Sequence, residues 1–135
     1  MCGCKGQVVT ALIARYYIAF VFLVLGAWAL LAPGHVLELA VTEAYRDTGY
    51  MARFSLACFG AQAVLFGVIA LVTRWSAHVF GIFALLLLPF FWFNYHFHYV
   101  EPVLNSIGML DFAGNVTMLI AALVGWRSAA RSTVA

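Results

Sequence analysis

The residues of this chain with chemistry to offer are a few amides, carboxyls and histidines, and most of them fall in two short stretches. Asn94, His98 and Glu101 are spaced i, i+4 and i+7, so on a helix they share one face. Asp111 and Asn115 follow at i and i+4 and set a carboxyl beside an amide. Arg53 is the natural cation for Asp111 or Glu101. A histidine between two carboxyls exchanges protons near neutral pH. Arg53, Asn94, His98, Glu101, Asp111 and Asn115 are therefore candidates for a proton-handling or ligand-binding cluster. The competing reading is a hydrogen-bonded network that only pins helix ends.

Other chemistries have less support. A b-type haem needs two facing axial histidines, and His78 stands about 18 residues, or roughly 27 Å of helix, from His96 and His98. His96 points away from the polar strip, and a metal site built from His96 or His98 with Glu101 has no recognised spacing. No haem or metal is expected. Cys2, Cys4 and Cys58 give no disulfide framework, and no nucleophile motif is present. The basic residues are too few and too spread for nucleic-acid binding.

The elements that must position these residues are long and apolar. Hydrophobic residues make up 66% of the chain and charged residues 9%, a composition outside the ordinary soluble range. Residues 16–32, 54–72 and 75–100 contain no formal charge, and 103–126 contain only Asp111. Crossing a hydrocarbon core of roughly 30 Å takes about 20 helical residues, whereas barrel strands are about 10 residues long and alternate. The expected fold is all-α and polytopic, an antiparallel bundle of four transmembrane helices over 8–32, 51–73, 77–100 and 106–126, in a single membrane domain. The first span is too long for a cleaved signal peptide. Leu37, Ala40, Val41 and Ala44 repeat at helical spacing between Glu38, Thr42 and Arg46, which predicts a short amphipathic outer helix over 35–46, stopped by Asp47-Thr48-Gly49.

Charge sets the orientation. Lys5, Arg15, Arg74, Arg127 and Arg131 share one side of these spans. Glu38, Glu43, Asp47, Glu101 and Asp111 share the other, with Arg46 and Arg53. The basic excess marks the cytoplasmic face, so both termini are expected in the cytoplasm and the chain in a cell (inner) membrane. Arg15 lies near enough to the interface to snorkel. Asp111, roughly one turn inside the outer interface, is too short to do so and needs a partner, a proton or water.

Packing signals complete the picture. Gly60, Ala63 and Gly67 form a smooth strip on the second span, and Gly26 plays a similar part on the first. Pro89 should kink the third. Gln62 needs an interhelical partner. The aromatics Phe90, Phe91, Trp92, Phe93, Tyr95, Phe97 and Tyr99 suit a membrane interface, or a slot for a flat apolar molecule such as a quinone or sterol-like lipid.

The stretches RYYIAFVFLVLGAWALLAP and ARFSLACFGAQAVLFGVIALVTR resemble the first half of DoxX-like small four-helix membrane proteins, in which an arginine also opens the first helix, glycine and proline close it, and glycines punctuate the second. The resemblance covers about half the chain. It implies a redox-linked membrane partner, with thiols or quinones in some members, and carries no catalytic residue onto this sequence. The functional expectation is a non-catalytic subunit or a lipid- or quinone-binding module of a larger membrane complex or homo-oligomer. The alternative is a small membrane enzyme or transporter working through the outer cluster.

Overall fold

The computed structural model describes residues 3–132, in six α-helices: α1 (Gly3–Leu31), α2 (Pro33–Ala40), α3 (Tyr50–Val72), α4 (Ala77–Leu86), α5 (Leu88–Tyr95) and α6 (Met109–Ser132). Cys2 lies outside these residues, as do the side chains of Cys4 and Lys5. Four runs, Gly6–Leu31, Tyr50–Val72, Ala77–Val100 and Met109–Arg131, have mean hydropathies of 1.5 to 2.2 and are long and apolar enough to cross a membrane. Even the shorter runs, at 23 residues, reach about 35 Å at the α-helical rise. The chain is a multi-pass membrane protein.

The third span is not one continuous α-helix. Pro89 opens α5 and has no N–H to give. The chain passes the break through Leu87, whose N–H reaches the Phe83 carbonyl at 3.1 Å and whose carbonyl takes the tighter bond from Phe90 at 3.0 Å. Beyond α5 the span ends in a π-helical turn, His96–Val100, closed by the Glu101 N–H on the His96 carbonyl at 2.8 Å.

The helix predicted over 35–46 is shorter. It stops at Ala40, because Val41 turns extended and forms an isolated antiparallel bridge with Leu104. The Thr42 N–H binds the Val103 carbonyl at 2.8 Å, and the Asn105 N–H binds the Ala40 carbonyl at 3.1 Å. A 3-10 turn, Glu43–Tyr45, follows. Asp47 does not end a helix; its Oδ1 accepts from the Gly49 N–H at 2.7 Å, and Gly49 is the N-cap of α3. The loop before α6 is braced by Asn105, whose Nδ2 donates to Leu39 O at 2.7 Å while Oδ1 accepts from the Ile107 and Gly108 N–H groups. This brace delays α6 to Met109, which leaves Asp111 in its first turn.

Between lipid-facing helices, close packing replaces the hydrophobic effect as the source of association. Here α1 packs on α3 and α6, and α6 packs on α4 and α5. The α1–α3 contact runs over the glycines: a Cβ on Gly60 would run into the Leu30 and Ala29 backbone, and one on Gly67 would lie 2.8 Å from Leu23 Cγ. Gly26 meets Ala63 and Val64 from the other side. On α6, Gly125 admits the Phe80 ring. Ile18, Phe80, Met118 and Ala122 are buried at the centre. Cys58, which its position in the second span predicts to be buried, is instead exposed.

Candidate functional site

The packing order leaves α3 and α4 splayed, although a tight turn joins them. Between them lies a cleft of about 340 Å³, floored by α1 and α6, at the small end of the range of about 300–1,000 Å³ usual for ligand pockets. Phe22, Phe59, Phe66, Phe83, Leu87 and Phe90 line its walls. The stacked pair Phe66 and Phe83, 5.8 Å apart, also borders a neighbouring cavity of about 250 Å³. Polar groups reach the cleft from two sides: Gln62 from α3, and Asp111 with Asn115 from α6.

Asp111 is organised by two amides. Asn94 Nδ2 on α5 and Asn115 Nδ2 on α6 each donate to its Oδ2 at 2.9 Å. Both asparagines are buried, Asn94 at 4% and Asn115 at 3% exposure, whereas Asp111 is open to the cleft. Asn94 Nδ2 also donates to the Phe90 carbonyl at 2.9 Å, so both its protons are engaged and the orientation of the amide is fixed. Within the Asn94–Asp111 pair, two acceptors stay unused among the described residues. Asp111 Oδ1 has no hydrogen bond, and Asn94 Oδ1 is buried without a donor. At the Asp111 head the free Oδ1 calls for a hydroxyl or ammonium donor, while Gln62, which makes no hydrogen bond among the described residues, adds an amide that can both donate and accept.

Of the six residues named from sequence, Asn94, Asp111 and Asn115 come together and Arg53, His98 and Glu101 do not join them. Arg53 lies along Gly34 at the start of α2, where a Cβ would be 3.5 Å from its Nε. Among the described residues it makes no ion pair with Asp111 or Glu101. His98 Nδ1 hydrogen-bonds the Leu104 carbonyl at 3.1 Å, so that ring nitrogen carries the proton. Glu101 instead stands 3.9 Å from His96 Nε2, the histidine expected to point elsewhere. The π-turn explains the difference: it takes an extra residue into one turn, which spoils the i, i+4, i+7 alignment beyond Asn94. Gln62 is the site residue that sequence reasoning left outside the cluster. Its signal, an amide near the centre of an apolar span, was present, but nothing local says which neighbour it faces.

Fold and site together define a multi-pass helical membrane protein with an apolar cleft headed by a carboxylate. Comparison with protein-family models, curated protein sequences and solved structures found no match.

Proposed function

We propose that this chain is an antiparallel four-helix membrane bundle, with both termini on the cytoplasmic face of a cell inner membrane, that binds an apolar ligand carrying a hydrogen-bond-donating head. The observation that carries this reading is Asp111, whose Oδ1 stands free at the polar end of a cleft otherwise walled by aromatic and aliphatic side chains. A carboxylate at membrane depth is costly unless it serves a partner, and the two amides on Oδ2 leave the second oxygen to meet one. Fatty or isoprenoid alcohols, sterol-like lipids and quinols fit this description. The resemblance to DoxX-like proteins favours a quinol and a redox-linked membrane assembly of which this chain is a ligand-binding subunit. The charge split supports the orientation, and the exposed His35 and Glu38 beside the half-covered Val36 and Leu37 support α2 as a helix lying on the outer surface.

The test is thermal unfolding of delipidated protein in a mild detergent with a long-chain isoprenoid alcohol or its methyl ether. The alcohol should raise the midpoint and the ether should not. Leu25 lines the α1 floor of the cleft, so Leu25→Trp, which fills it, should abolish the shift. Equal shifts for both compounds, or an undiminished shift in Leu25→Trp, would overturn the reading.

A further inference from the structure

A further concavity lies at the other end of the helices, about 27 Å along α6 from Asp111 by residue count. Arg15, only 8% exposed, sits in its wall. Its Nη1 donates to the carbonyl of Thr73, the C-cap of α3, and so meets the negative end of that helix. Its Cζ lies 4.7 Å from the centroid of the Tyr16 ring. Among the described residues Thr73 is its only hydrogen-bond acceptor, and Nε is buried with no partner. Beside it, Arg74 and Trp75 of the α3–α4 turn, Ala129 of α6 and the Val8–Leu12 face of α1 enclose about 390 Å³.

Two guanidinium groups thus share a pocket that no acidic side chain lines among the described residues. All five acids of the sequence lie in the α1–α3 connection or from Glu101 to Asp111, and the ion pair among the described residues, His96 with Glu101, is there too. A largely desolvated cation with unused donors calls for an anion. The planar fork of arginine matches phosphate oxygens in a bidentate way that a lone ammonium does not. We propose that this pocket holds a phosphate group. An apolar wall of Val8 and Leu12, with an indole at its rim, suits the phosphodiester of an anionic phospholipid whose chains continue along α1. Free phosphate shares the recognition chemistry but would leave that wall empty. This site is independent of the Asp111 cleft, and its failure would leave that reading untouched.

The test is native mass spectrometry of delipidated protein given dioleoyl phosphatidylglycerol or dioleoyl phosphatidylcholine, with and without inorganic phosphate. The wild type should retain phosphatidylglycerol in preference, and Arg74→Gln should cut that preference about fivefold, the worth of one interfacial cation. Arg74 is exposed, so this variant keeps the fold even where Arg15→Gln loses its helix cap. Arg46→Gln, at the opposite end, should retain lipid as wild type does. Loss of lipid on adding millimolar phosphate would show that the phosphate group alone suffices for the site; retention would show that the lipid is the ligand. Equal retention of both lipids, or undiminished phosphatidylglycerol on both Arg74→Gln and Arg15→Gln, would overturn the proposal.

Discussion

Asn94 and Asp111, 17 positions apart, meet with Nδ2 2.9 Å from Oδ2, and this contact clasps the third span to the fourth beside the cleft. Asn115 shares the same oxygen. Truncating Asp111 therefore leaves two buried amides without their acceptor, at about 1–3 kcal/mol each. Asp111→Leu should unfold in detergent at a clearly lower temperature than wild type. Arg53→Gln should stay within about 0.5 kcal/mol of wild type, the usual range for a surface change that breaks no buried partnership. A large loss in Arg53→Gln would show that Arg53, not the two asparagines, is the partner of Asp111.

Asp111→Asn makes a sharper change, because it keeps the shape and can keep the shared acceptor. The amide oxygen takes the place of Oδ2, and an NH₂ replaces the free Oδ1. Stability should drop by no more than about 1 kcal/mol, while the head of the cleft turns from acceptor to donor. The variant should gain a response to the methyl ether and to the corresponding aldehyde, which accept but cannot donate, read by the same unfolding shift. An unchanged preference would separate Asp111 from ligand recognition.

Gly60→Leu and Gly67→Leu insert side chains into the α1–α3 contact, where even a Cβ finds no room. Overpacking costs about 1–3 kcal/mol in ordinary cores, and the Gly60 change, which presses on backbone, belongs at the upper end. Folded yield and unfolding midpoint should fall for both. Gly6→Leu, where a Cβ meets nothing within 4 Å, is the matched control and should behave as wild type.

The Asn105 side chain ties the loop before α6 to α2 through one hydrogen bond to Leu39 O and holds the loop itself through two more, from the Ile107 and Gly108 N–H groups. Asn105→Ala should destabilise by about 1–3 kcal/mol. Asn105→Asp should recover part of the loss, since a carboxylate still accepts from the Ile107 and Gly108 N–H groups but cannot donate to Leu39. Hydrogen exchange at Thr42 and Asn105 N–H should accelerate in the alanine variant if the Val41–Leu104 bridge depends on this brace.

Orientation is checked with compartment reporters fused after Ala135 and inserted in the 46–48 segment. The C-terminal fusion should report the cytoplasm and the loop fusion the opposite side. The reverse result would exchange the faces on which the cleft head and the arginine pocket lie.

The sequence by itself determined the number of spans, since a run of apolar residues either is or is not long enough to cross a bilayer, whatever packs against it. It also placed Asp111 beside Asn115, and it broke the third span at Pro89, because i, i+4 spacing and a missing N–H act within one helix. Tertiary structure decided the rest. The helix expected over 35–46 ends at Ala40 because Val41 finds Leu104, a partner more than 60 positions away. Glu101 leaves the Asn94 face because the span closes in a π-turn, which no residue spacing announces. Arg15, placed near the interface by its sequence position, takes the Thr73 carbonyl as its partner because α1 docks against α3. The cleft itself exists because α1 and α6 pack centrally and leave α3 apart from α4. With lipid on every side, apolar patterning cannot say which face meets which neighbour; only the close fit of glycine surfaces and buried amides does.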